Sequence, residues 1–149
     1  TLLSKILGFF AGFIATFAAI SLVQALGHAV VPPPADLDVT DQAAFAEWLA
    51  TAPAGSFLFV LASYFAGAFL GPFVATWLGG GKGLAFTWIF GALVLAGTIA
   101  TVTRIPHPLW FTIAAIVGIP IAAFYGGRLA PRRVSPQANA PQPGTGEAE

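Results

Sequence analysis

The sequence predicts an all-α, polytopic membrane protein. Four transmembrane helices form a bundle with both termini on the cytoplasmic side, and a short interfacial helix sits in the outer loop between the first two spans. Three observations predict this. Of 149 residues, 57% are hydrophobic and only 8% are charged, whereas an ordinary soluble domain carries about 25% charged residues. A chain this short cannot hide that much apolar surface from water. Four separate stretches reach the roughly 20 apolar residues that cross a bilayer, and lysine and arginine are distributed asymmetrically about them.

The same composition removes several function classes. Six basic residues balance six acidic ones, so no net field steers nucleic acid or an acidic substrate. There is no cysteine, which excludes disulfides, thiolate–zinc sites, iron–sulfur clusters and thiol nucleophiles. The mean hydropathy of +0.84 is equally foreign to a disordered chain.

The first span is expected at residues 3–31. Thr1 is small enough to follow a removed initiator methionine, and Lys5 precedes the apolar run. A signal peptide has an apolar region of about 7–15 residues and a small-residue cleavage site. This run is longer and its boundary, Leu26-Gly27-His28-Ala29, is a poor cleavage site, so an uncleaved helix is expected. Pro32-Pro33-Pro34 ends it, because proline lacks the amide hydrogen and restricts its predecessor.

In the loop that follows, Asp38, Thr40 or Asp41 can cap a short helix. Phe45, Trp48 and Leu49 then fall at i, i+3 and i+4, on one face. Such a helix lies along the outer interface, or else closes as a lid over the bundle.

The second span is expected at 56–78, and Gly79-Gly80-Gly81-Lys82-Gly83 makes the next turn. That turn is not a phosphate-binding loop: Thr76 stands where the first glycine is required and Gly83 replaces the Ser/Thr. The third span is expected at 84–103, Pro106-His107-Pro108 breaks the chain, and the fourth is expected at 109–129. Residues 1–131 then form the transmembrane domain. Residues 132–149, rich in Pro, Gln, Ala, Gly and Glu, read as a disordered cytoplasmic tail.

With alternating helices, Lys5, Lys82, Arg128, Arg132 and Arg133 fall on one side and Arg104 alone on the other, beside Asp36, Asp38, Asp41 and Glu47. The positive-inside rule makes the first side cytoplasmic. Trp77 and Trp88 flank the inner turn, and Trp48 and Trp110 sit outside, as interfacial tryptophans do.

Lipid tails are as apolar as leucine, so close contact rather than hydrophobicity joins helices in a bilayer. Small residues permit that contact. Ser63, Gly67, Gly71 and Ala75 recur at spacing four, as do Ala114, Gly118, Ala122 and Gly126; Gly8 and Gly12, and Ala92, Ala96 and Ala100, supply the other two helices. Gly67, Gly71, Gly118 and Ala122 are the expected packing positions of an internal bundle, with self-association through one stripe as the rival. Pro72 and Pro120 inside helices shape the packing.

An ionisable residue inside the hydrocarbon would mark function. No Asp or Glu falls within the four stretches. The remaining polar groups gather at the outer end, where Gln24, His28, Asp36, Asp38, Arg104 and His107 form a candidate cluster. Two histidines fall short of the three or four ligands usual for zinc, so no metal, cofactor or catalytic residue is expected.

The arrangement resembles a group of small, uncharacterised four-helix bacterial inner-membrane proteins. The resemblance is carried by Gln-Ala-Leu-Gly-His-Ala-Val-Val-Pro-Pro-Pro at 24–34, the acidic stretch 36–41 and Ile-Pro-His-Pro-Leu-Trp at 105–110, and covers roughly residues 1–130. It implies a multi-pass protein of the inner (cytoplasmic) membrane and no functional residue, because the group has no assigned activity.

The leading expectation is a non-catalytic accessory or structural subunit of a membrane complex. Its partners are the lipid bilayer and other membrane subunits or a second copy, not nucleic acid. The rivals are a small oligomeric transporter or channel along Ser21, Gln24, Ser63, Thr98 and Thr101, and a membrane enzyme using His28 and His107 at its outer face.

Overall fold

The computed structural model describes residues 1–80 and 84–131; Lys82, Arg132, Arg133 and the expected tail lie outside them. Among the described residues there are five helices and no strand: α1 Leu2–Val30, α2 Gln42–Thr51, α3 Ala54–Gly79, α4 Leu84–Arg104 and α5 Leu109–Leu129. Four of them, α1, α3, α4 and α5, are long and apolar enough to cross a membrane. This is the make-up of a multi-pass membrane protein. The expected limits of the long helices agree within two residues, the usual scatter of helix ends.

Each end has a local cause. Thr1 caps α1, accepting from the Ser4 amide at 3.2 Å. The Val31 amide donates to the Gly27 carbonyl at 2.8 Å before the three prolines stop the helix. Asp41 caps α2, its Oδ1 accepting from the amides of Ala43 at 2.9 Å and Ala44 at 3.2 Å. α3 ends at Gly80, whose φ of +68° suits glycine alone among common residues. α3 and α5 both continue through their internal prolines, Pro72 and Pro120.

α3 holds the structure together, contacting α1 on one side and α4 and α5 on the other. The α1–α3 contact is an antiparallel seam that steps in fours. Gly8 meets Gly79, Gly12 meets Ala75, Thr16 meets Gly71, Ile20 meets Gly67 and Gln24 bonds Ser63. At the far end Gly27 faces the Phe59 ring. The backbones approach so closely that a Cβ on Gly8 would lie 2.6 Å from the Gly79 Cα and the Ala75 carbonyl oxygen. The Ser4 hydroxyl donates to the Gly79 carbonyl at 3.2 Å and ties the other end.

The second contact is of a different kind. Phe65 and Phe69 of α3 sit against the small stripe of α5: the Phe65 ring covers Gly118, and the Phe69 backbone crosses Gly126. Ala122 and Ala114, half-buried, border the core of Phe57, Leu61, Ala68, Val94, Phe111 and Ile119. The stripes on α1, α3 and α5 thus all face neighbouring helices.

The stripe on α4 does not. Ala92, Ala96 and Ala100 are exposed, and α4 turns Thr87, Phe90, Gly91, Val94 and Thr98 inward instead. The reason is size: Phe90 is fully buried, filling the notch that Gly12 and Gly71 leave in the α1–α3 seam. Seating that ring rotates the alanines outward. The rest of the outer surface is large and apolar, with Ile14, Leu22, Val117 and Ile121 each more than half exposed. Such a surface suits lipid and not water.

Gly71→Leu should therefore break the seam, since its first added carbon already collides with the Thr16 hydroxyl and the Phe90 ring. Overpacking of this kind costs about 1–3 kcal/mol or more. Ala96→Leu, on the open face, should leave the fold intact, with the parent's helicity in detergent. Equal melting of parent and Gly71→Leu would contradict the seam.

Candidate functional site

The far ends of α1, α3 and α4 do not close on one another. α1 ends in Gly27, which draws α3 close, but Val31 and the prolines then lead the chain away. The space left is a cavity of about 440 Å³, bounded by α1, α3, the end of α4 and His107, with α2 across it. Phe45, Trp48 and Leu49, the apolar face of α2, line it. That face is thus directed at the protein's own interior.

α2 is set in place by the turn before it. Thr40 donates from its amide at 2.8 Å and its hydroxyl at 2.6 Å to Asp38 Oδ1. The Asp41 amide donates to the Asp38 carbonyl at 3.1 Å, which brings Asp41 to the cap of α2. The hydroxyl of Thr40, and next its amide, hold the Asp38 carboxyl below its ordinary value of 3.8.

The polar groups of the wall differ in how they are satisfied. Gln24 Nε2 donates to Ser63 Oγ at 3.2 Å, and Ser63 Oγ donates to the Val60 carbonyl at 2.6 Å. Tyr64 and Thr101 line the same wall, and Thr101 donates to the Gly97 carbonyl at 2.9 Å. His107 Nδ1 lies 2.7 Å from the Ile105 carbonyl. A carbonyl only accepts, so the ring carries a proton on Nδ1. The same ring stacks on Phe111 at 4.8 Å and meets the edge of Phe57 at 5.9 Å. The Ser56 Oγ is buried and, among the described residues, has no hydrogen-bond partner.

Of the six candidate residues read from the sequence, the structure brings Gln24, His28 and His107 to the cavity. His28 is exposed at its margin. Asp36, Asp38 and Arg104 are exposed and do not line it. Among the described residues no three His, Cys, Asp or Glu side chains gather as a metal site would need. A polar path is also not assembled in one line: Ser21 is exposed on the outside, and the buried Thr98 donates to the Val94 carbonyl at 2.9 Å.

Sequence reasoning did not reach Tyr64, Ser56 and Phe59 as wall residues. Tyr64 carried a usable signal, because a phenol within an apolar helix needs a hydrogen-bond partner. Phe59 carried none, since phenylalanine occurs on every side of these helices.

A carboxyl depressed by folding stabilises the folded turn above its ordinary pKa and loses that contribution as pH falls through the folded value. The Asp38–Thr40 turn should therefore loosen only below about pH 3.8. Thr40→Val removes the strongest bond, so the Asp38 carboxyl, followed by NMR in the full chain, should titrate higher. An unmoved titration would mean that the bond does not form. No family model, no curated protein and no solved structure matches this chain.

Proposed function

We propose that the chain is a multi-pass protein of the bacterial inner membrane that acts as a non-catalytic accessory subunit. Its four long helices form a transmembrane bundle whose task is to dock against a transmembrane helix of a larger complex. The observation that carries this reading is the outward face of α4. Ala92, Ala96 and Ala100 are exposed there, and a Cβ added to Gly97 beside them would meet nothing within 4 Å. In a bilayer such a smooth face is where a neighbouring backbone can come close.

The polar chemistry supports a structural rather than a reactive role. The hydroxyls of Thr16, Thr98, Thr101 and Thr103 donate to carbonyls of their own helices, at 2.9–3.0 Å. Each is the ordinary internal partner of a threonine in a membrane helix.

The orientation follows from charge. Lys5 and Arg128 belong to one end of the helix array; in the sequence Lys82 falls between α3 and α4, and Arg132 and Arg133 follow α5, so that end is read as cytoplasmic. Trp77 and Trp88, 45% and 69% exposed, belong to that end, and Trp110, 42% exposed, to the other. α2 and its cavity then belong to the outer interface.

Two experiments test this. Gln42→Cys should be labelled by an impermeant thiol reagent in intact cells and Lys82→Cys should not; the opposite pattern reverses the orientation. In mild detergent the chain should run heavier than its own 15.3 kDa plus micelle, and Ala96→Leu should return it to monomer size with its helicity unchanged. A parent that is already monomeric and alone would remove the accessory-subunit reading.

A further inference from the structure

We infer that α2 is a hinged lid. In this structure its apolar face closes over the cavity. Swung outward, the same face lies in the headgroup region of the bilayer, and the charge of that membrane surface sets the balance between the two positions. The inference rests on the membrane placement and not on the docking role of α4.

α2 belongs to a self-contained stretch of chain. Among the described residues, every hydrogen bond made by residues 34–52 has its partner within that stretch. The Phe45–Trp48 ring contact, at 5.6 Å, is also internal to it. α2 forms no packed seam with another helix, and none of its residues is fully buried. The Asp41 cap and the Asp38–Thr40 turn that shape the helix therefore move with it.

What joins α2 to the bundle is unequal along its length. Only Ala52 and Pro53, both extended, separate it from α3, whereas residues 31–41 lead to it from α1. Leu49 and Ala52, beside that short connection, pack on the core. Phe45 and Trp48, farther along, face the cavity of about 440 Å³ instead. The Ala52–Pro53 end is therefore the hinge, and the Asp41 end is the one that travels.

The closed position holds α2 weakly. A void gives the atoms beside it no partners on that side, so Phe45 and Trp48 gain less from closing than side chains of a packed core do. Lipid is as apolar as leucine and fills the space against any face laid in it. A helix with Phe45, Trp48 and Leu49 on one side and Glu47 on the other has the form of those that lie along a membrane surface, where tryptophan is favoured. The bundle and the bilayer thus offer α2 comparable contact, and a small bias moves it from one to the other.

Charge supplies that bias. Asp36, Asp38, Asp41 and Glu47 are all exposed, and no lysine or arginine lies between Lys5 and Lys82. Arg104, the cation at this end, belongs to α4 and does not travel with α2. Swinging α2 outward carries the carboxylates to the membrane surface. An anionic surface repels them within about a Debye length and so holds the lid shut, whereas a zwitterionic surface lets it open.

The test uses the full chain, which has no cysteine of its own, carrying nitroxide pairs in nanodiscs, with distances read by pulsed electron resonance. Ala43→Cys with Ala25→Cys reports the travelling end of α2, and Ala50→Cys with Ala25→Cys reports the hinge end; all three positions are exposed and none lies on α4. In phosphatidylcholine the first pair should show two distances, one that of this structure and one displaced from it, and the second pair a single narrow distance. In phosphatidylglycerol the displaced share should fall about fivefold or more, the effect of one charge at an anionic surface, and high salt should restore it. Asp36→Asn with Glu47→Gln, which leaves the cap and the turn in place, should make the two lipids alike. A single distance for the first pair in phosphatidylcholine overturns the lid. So do two distances whose proportions ignore lipid charge and salt, or equal movement of both ends. Each of these results leaves the docking role of α4 standing, because the labels and the charges all lie outside its face.

Discussion

Backbone-to-backbone approach between α1 and α3 is the constraint on which the rest of the structure depends. Water gives no help inside a bilayer, where burying a leucine against protein or against lipid is nearly equivalent. What remains is contact distance. Gly8, Gly12, Gly71 and Gly79 remove the side chains that would hold the two helices apart. The register is then fixed by three objects that interrupt the smoothness: Thr16 beside Gly71, Ile20 beside Gly67 and the Gln24–Ser63 hydrogen bond. A slip of one turn would place the Ile20 side chain against a different neighbour and unmake the Gln24 bond.

The same helix uses opposite means on its two sides. Toward α1, α3 is smooth and its partner is smooth. Toward α5, it projects Phe65 and Phe69 into a smooth partner. The first arrangement brings backbones together; the second interposes rings and spaces α5 outward. The cavity at the α2 end is a result of this difference. Phe57, His107 and Phe111 stack into a wide aromatic wall on the α5 side, while Gly27 keeps α1 tight against Phe59. The wall and the seam therefore diverge, and α2 covers the space between them.

Much of the fold was legible because the chain is punctuated strongly. Three consecutive prolines, a glycine run and Pro-His-Pro stop helices for reasons that tertiary context does not override. Asp41 was one of three caps that the sequence offered, and the Asp38–Thr40 turn chose it by occupying the other two. The facing of α4 was not legible. Helices that are apolar all round carry no pattern that marks an inner face, so three alanines at spacing four read as a contact stripe. The bulk of Phe90 and the two glycines that receive it decided otherwise, a match between residues in three different helices. The cavity was half legible for the same reason. Gln24, His28 and His107 stood out as polar residues, and Phe45, Trp48 and Leu49 as a face. Their convergence with Ser56 and Tyr64 depends on distances between helices, which no single helix records.

The notch filled by Phe90 has a consequence for the order in which the molecule assembles. α1 and α3 leave the ribosome before α4, and their seam receives two rings from it: Phe86 beside Gly79 and Phe90 between Gly12 and Gly71. A Cβ at either Gly12 or Gly71 would come within 2.9 Å of the Phe90 ring, and Phe9 lies 5.6 Å away, centroid to centroid. Until α4 arrives, the first hairpin carries an empty socket whose position is defined by two glycines on different helices. A hairpin closed one turn out of register would separate those glycines and present no socket. The Phe90 ring therefore fits an α1–α3 pair closed in this register, in which Gly12 and Gly71 lie together.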